Sequence, residues 1–110
     1  MSMDLVTRLH GGVGHLQVIG EIDTLTAPEL RAAGARLFED GARALLVDCA
    51  GIAFIDSAGL SVLLELHDQA ELRFATMTLC EPTEQTRRLL AITGLDAKLM
   101  VAPPVPARTA

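Results

Sequence analysis

The stretch Ala44-Leu45-Leu46-Val47-Asp48-Cys49-Ala50-Gly51-Ile52-Ala53-Phe54-Ile55-Asp56-Ser57-Ala58-Gly59-Leu60 changes character twice. Ala44 to Val47 is a continuous apolar run and reads as a central strand buried on both faces. The chain leads through Asp48 to Gly51 into a second apolar run, Ile52 to Ile55, and breaks abruptly at Asp56-Ser57-Ala58-Gly59. From Leu60 the period is helical. Leu60, Val62, Leu63, Leu64, Leu66 and Ala70 cover a wide arc opposite Ser61, Glu65, Asp68 and Gln69. His67 falls inside that arc and reads as a packed histidine with one satisfied hydrogen bond rather than a catalytic base.

Upstream, Thr26-Ala27-Pro28-Glu29 reads as a helix start, with Thr26 as cap, Pro28 in the first turn and a T-x-x-E capping box. Leu30, Ala33, Gly34, Leu37 and Phe38 then share one helical face, and Gly41 ends the helix. Before it, Leu5–Leu9 and His15–Ile19 are short strand-like runs separated by Gly11, Gly12 and Gly14, which predicts a hairpin.

Downstream, Ala75 to Leu79 alternates as a strand with one face inward. Pro82 opens a third helix carrying Leu89, Leu90 and Ile92, and Gly94-Leu95 is its stop. A last short strand lies near Lys98 to Val101, before the extended tail of Pro103-Pro104-Val105-Pro106. The order β-β-α-β-α-β-α-β predicts an α/β fold, a mixed sheet of about five strands covered by three or more helices. Residues 1–102 form the domain and residues 103–110 a proline-rich tail.

A chain of 110 residues suits one core, and half of its residues are hydrophobic. With three Phe and no Trp or Tyr, that core is built from Leu, Val, Ile and Ala. The net charge is −5 without any basic stripe, which argues against nucleic acid and favours a protein partner with a basic docking surface. No basic n-region or bilayer-length apolar run is present, so the expectation is a soluble cytoplasmic protein without membrane insertion. Cys49 and Cys80 read as buried or half-buried thiols at strand ends. The alternative is a redox pair, since the strands they cap could be neighbours.

The chemistry concentrates at Asp56-Ser57-Ala58-Gly59-Leu60. Ser57 stands where an N-cap belongs, beside free N–H groups and the positive end of the helix dipole. Ala58 and Gly59 would allow another molecule close to the backbone. One reading stops there, with a structural cap contributing roughly 1 kcal/mol. The other adds a phosphate at Ser57, bringing about −1.5 to −2 charge to a helix N-terminus beside Asp56 and, if the fold brings it near, Asp23. A serine hydrolase is excluded, because the first glycine of G-x-S-x-G is missing and His10, His15 and His67 offer no clear partner. There is no Walker A loop, no dinucleotide fingerprint and no metal constellation, and no cofactor is expected.

Gly20-Glu21-Ile22-Asp23, Thr26-Ala27-Pro28, Phe54-Ile55-Asp56-Ser57-Ala58-Gly59-Leu60, Arg87-Arg88-Leu89-Leu90 and Thr93-Gly94-Leu95 together resemble the STAS domain of bacterial anti-anti-sigma factors. The resemblance runs in order from about Leu5 to Val101, and D-S-x-G-L is its most specific part. It implies a non-enzymatic antagonist that binds an anti-sigma factor, itself an ATP-dependent serine kinase, and so releases a sigma factor. The kinase would phosphorylate Ser57 and thereby break the complex, and a serine/threonine phosphatase would reset it. The implied contact surface comprises Glu21, Asp23, Thr24, Asp56, Ser57, Ala58, Gly59 and Leu60. A rival within the same family is a STAS subunit of a transporter or stress-signalling scaffold that binds an ATPase constitutively. The chain departs from many relatives in having Ala58 where a second hydroxyl is common and Phe74-Ala75 in place of a Gly-Gly turn. Its proline-rich tail also stands in place of a final helix.

Overall fold

The computed structural model describes residues 2–103. It runs β1 (Met3–His10), β2 (Val13–Ile22), α1 (Ala27–Glu39), β3 (Ala44–Ile55), α2 (Ser57–Leu72), β4 (Thr76–Cys80), α3 (Glu84–Thr93), a 3-10 turn (Leu95–Ala97) and β5 (Met100–Val101). The five strands lie in the order β1-β2-β3-β4-β5, the first pair antiparallel and the others parallel. This is the expected mixed α/β sheet. Apart from Pro103, the proline-rich tail lies outside the described residues.

The hairpin closes at the His10–Val13 pair through a two-residue loop in which Gly11 and Gly12 have φ of 58° and 78°. Positive φ at both central residues makes a type I′ turn, whose twist matches the strands it joins and which side chains other than Gly, Asn and Asp disfavour. Each parallel pair then needs a crossover, supplied by α1, α2 and α3 in turn.

Leu16 and Val18 of β2, Leu45 and Val47 of β3 and Leu79 of β4 are fully buried, together with Leu30 of α1 and Leu63 and Leu66 of α2. The opposite sheet face carries Val6, Arg8, His15, Gln17 and Leu46, all partly or fully exposed. The apolar run in β3 is therefore not buried on both faces, because Leu46 lies on the open side. Nor does Asp48–Gly51 interrupt the strand. Between the Gln17–Asp48 and Ile19–Gly51 pairs β3 gains one residue, and it gains another between Gly20–Ile52 and Glu21–Phe54. These bulges absorb the polar segment and move the inward set from Val47 and Cys49 to Ile52 and then Ile55.

The starts of α1 and α3 differ from the sequence reading. Thr26 has helical backbone angles and makes no capping bond to α1. Its hydroxyl donates to the Glu21 carbonyl at 2.8 Å and accepts from the Asp23 N–H at 2.9 Å. No capping box forms there. In α3, Thr83 is the cap, accepting from the Thr86 N–H, so Pro82 precedes the helix instead of opening it. Leu90 is buried whereas Ile92 is exposed, and Gly94 closes α3 with φ of 76°, as its position predicts. Where a Gly-Gly turn is common, Phe74 takes φ of 55° with 95% of its surface exposed.

His67 is nearly buried, with its two ring nitrogens 3.2 and 3.0 Å from the carboxylates of Asp68 and Glu71. The cysteine strands are indeed neighbours, with Asp48 opposite Cys80. That register and the alternation of side chains set Cys49 on the helix-packed face and Cys80 on the open face. A disulfide needs facing Cβ atoms about 3.5–4.5 Å apart, so the two do not form a redox pair in this fold. Burial pushes the Cys49 thiol up to about 12.

Candidate functional site

Because β2 and β3 are parallel neighbours, both end at the same edge of the sheet, and each is followed by a helix. Ile22 pairs with Ile55, and the Asp56 N–H donates to the Ile22 carbonyl at 3.2 Å. The residue that follows β2 is Asp23. Neighbouring strands lie roughly 4.8 Å apart, so the Ile22–Ile55 pairing brings the backbones of Asp23 and Asp56 to the same end of the sheet.

Both carboxylates are engaged by backbone. Asp56 is the N-cap of α2, accepting through Oδ1 from the Ala58 and Gly59 N–H groups at 2.9 and 3.1 Å. Asp23 braces the turn that leads into α1, its Oδ1 accepting from the N–H groups of Leu25 and Thr26 at 2.9 and 3.0 Å, while α1 itself carries no side-chain cap. The Thr26 N–H bond is the main cause that holds the Asp23 carboxyl below its ordinary range, and the Leu25 N–H and the Thr26 hydroxyl add to it.

Ser57 is consequently the first residue of α2 and not its cap. Its side chain is exposed, and its carbonyl accepts from the Ser61 hydroxyl at 2.9 Å. A helix offers unpaired N–H groups only in its first turn. Two of those in α2, the Ala58 and Gly59 N–H groups, are already occupied by Asp56, so fewer donors are left to cradle a phosphate on Ser57 than the sequence suggests.

The other expected contact residues divide. Thr24 is exposed, and Glu21 and Ala58 are half-buried. Glu21 Oε2 is shielded from solvent without a hydrogen-bond partner among the described residues. Gly59 and Leu60 belong to the interior, Leu60 being 2% exposed. A Cβ on Gly59 would lie 2.6 Å from Ile55 Cγ1 and 2.8 Å from Ile22 Cγ2. That glycine brings α2 against the strands and does not admit another molecule.

Three neighbours escaped the sequence reading as members of the site. Leu25 is 88% exposed on the loop held by Asp23, and Phe54 is 40% exposed one residue before Ile55. Gln85 of α3 clasps the Ile55 backbone, donating to its carbonyl at 2.9 Å and accepting from its N–H at 3.2 Å. Exposed leucine is a signal only after folding, and a glutamine contact across 30 residues leaves no local pattern. The assembled patch is an exposed hydroxyl with two carboxylates and apolar side chains on a braced loop. Among the described residues no cluster of His, Cys, Asp or Glu could hold a metal ion, and no helix is long and apolar enough to cross a membrane.

The family model of the STAS domain matches residues 4–107, and the chain belongs to that family. It is 32% identical over 97 residues to the anti-sigma-F factor antagonist RsfB of Mycobacterium tuberculosis, covering 86% of this chain and 77% of RsfB. The crystal structure of an anti-sigma factor antagonist from Mycobacterium paratuberculosis matches with a TM-score of 0.84 at 30% identity, covering 94% of this chain and 88% of the other. The unphosphorylated form of the anti-sigma factor antagonist SpoIIAA shares the fold, with a TM-score of 0.77 at 20% identity over 91% of this chain and 89% of its own. Each of these proteins is named as an anti-sigma factor antagonist.

Proposed function

We propose that this chain is a cytoplasmic anti-sigma factor antagonist whose complex with its anti-sigma factor is broken by phosphorylation of Ser57. The unmodified protein docks through the patch of Asp23, Thr24, Leu25, Phe54, Asp56 and Ser57. The partner supplies ATP and the kinase activity, and a serine/threonine phosphatase restores the free hydroxyl. The observation that carries this reading is the exposure of Ser57 at the start of α2 while Asp56 occupies the Ala58 and Gly59 N–H groups. A phosphate there meets a helix start with two of its N–H groups already bonded to Asp56, so less of its charge is neutralised. Docking would bury it beside two carboxylates, at a desolvation cost of several kcal/mol for an ion without partners.

The test is incubation with the cognate anti-sigma factor and ATP, followed by mass spectrometry and a pull-down. The expected result is one phosphate, on Ser57, with loss of the complex. A Ser57→Ala chain binds and is not released. A phosphate on another residue, or a phosphorylated chain that stays bound, refutes the proposal.

A further inference from the structure

We propose that the outer edge of β1 is a self-association surface, on which a second copy of this chain adds its own β1 in antiparallel register centred on Val6.

The two edges of the sheet are managed differently. β5 is two residues long, too short to template another strand, whereas β1 runs for eight residues. Natural edge strands are blunted by brevity, proline, charged side chains (lysine above all) or a bulge. β1 contains neither Pro nor Lys, its two charged residues, Asp4 and Arg8, are of opposite sign, and its eight pairs with β2 show no register shift. Residues Val6 to His10 are all exposed, and no described residue pairs with the outer side of the strand.

The hairpin fixes which groups face outward. The Glu21 N–H donates to the Ser2 carbonyl at 3.1 Å, so the even-numbered residue turns its backbone toward β2. Closure through the His10–Val13 pair around a two-residue turn agrees with this. Hydrogen bonding alternates along an antiparallel strand, so Met3, Leu5, Thr7 and Leu9 direct their N–H and C=O groups outward. Pairing about Val6 would join Leu5 to Thr7 and Met3 to Leu9 of the second copy, forming about eight hydrogen bonds.

The side chains support the same register. Asp4, Val6 and Arg8 alternate on the open face, and a two-fold axis at Val6 sets Asp4 of each copy opposite Arg8 of the other. Neither Asp4 nor Arg8 has an ion-pair partner among the described residues. Even-numbered positions would form the non-hydrogen-bonded pairs, where facing side chains approach most closely and opposite charges stabilise the sheet. The strand is thus complementary to itself. Antiparallel pairing would also turn the two Ser57 edges to opposite ends of the joined sheet, leaving both open.

The test is sedimentation velocity of the full chain over a range up to millimolar subunit concentration. Wild type is expected to show a reversible monomer–dimer equilibrium that weakens with salt. Asp4→Arg and Arg8→Asp, each alone, set like charges opposite and are expected to be monomeric. An equimolar mixture of the two restores both opposite-charge pairs and is expected to heterodimerise. Thr7→Pro removes an outward N–H without touching the β1–β2 ladder, so it is expected to abolish the dimer at unchanged circular dichroism. A wild-type chain that remains monomeric throughout overturns the proposal. So does a dimer that persists in the single charge variants, or a mixture that stays monomeric. Should Thr7→Pro fail to fold, the charge exchange alone decides.

Discussion

Removing the Asp56 carboxylate should weaken the phosphorylation switch more than it weakens the fold. In the native chain Oδ1 of Asp56 takes the Ala58 and Gly59 N–H groups at 2.9 and 3.1 Å. Asp56→Ala deletes an N-cap, at a cost of about 0.5–2 kcal/mol, and a domain with about 5–15 kcal/mol of stability remains folded. The two freed donors stand beside residue 57. Hydrogen bonds to a charged group contribute about 1.5–3 kcal/mol each. Even one such bond formed to phosphoserine in the docked state recovers roughly tenfold in affinity. The ratio of phosphorylated to unmodified dissociation constants should therefore fall at least about tenfold in Asp56→Ala relative to wild type. The assay is isothermal titration of the anti-sigma factor with chains carrying serine or biosynthetically installed phosphoserine at position 57. Asp56→Asn keeps an oxygen on the two N–H groups while losing the charge, so it should fall between the other two. An Asp56→Ala ratio equal to wild type refutes the argument that occupied donors make the phosphate costly to bury. An Asparagine variant equal to alanine assigns the effect to charge and not to occupancy.

Gly59→Ala drives a Cβ to within 2.6 Å of Ile55 Cγ1, and overpacking of this kind should cost about 1–3 kcal/mol in urea denaturation. Ser57→Ala should leave stability within about 0.5 kcal/mol of wild type, because the residue follows the cap, whereas loss of a capping serine would cost about 1 kcal/mol. Phe74→Gly relieves a left-handed backbone that costs a side-chain-bearing residue about 1–2 kcal/mol, against about 0.4–1 kcal/mol of added unfolded-state entropy, so the melting temperature should rise slightly. Asp23 has a lowered folded pKa, so its contribution is complete above the ordinary value of 3.8 and is lost as pH falls through the lowered one. Asp23→Asn keeps an acceptor but does not titrate, and the urea midpoints of the two chains should shift relative to each other only in that acid window.

The order of elements, the hairpin and the serine turn were all legible from apolar periodicity and from Gly, Pro and Asp. The residue that performs each cap was not. Asp, Ser and Thr are nearly equivalent as caps, and Asp23-Thr24-Leu25-Thr26 and Asp56-Ser57 each offer more than one within a turn. Only the coordinates show which oxygen reaches the N–H groups. The polar Asp48–Gly51 segment looked like a break because a bulge has no period of its own, and Asp48 hides there by accepting from the Ala50 N–H at 3.0 Å. Gly59 and Leu60 carried the family signature and so invited assignment to the contact surface, yet that signature records a packing need as well as a functional one.

The two aspartates need no appeal to function to account for their position. Parallel strands finish at one edge, their crossover helices begin there, and a helix start favours a short acceptor and a negative charge. The topology alone therefore gathers acids at the ends of β2 and β3. What the chain adds is a hydroxyl one residue beyond a cap, where it contributes little to the helix and stands in solvent. A modification at the cap itself would compete with the bonds that start α2 and would couple binding to partial unfolding. One residue later, the same charge would alter the docking face while the cap stays bonded, so under the proposed switch two covalent states of one fold would differ in affinity without differing in architecture.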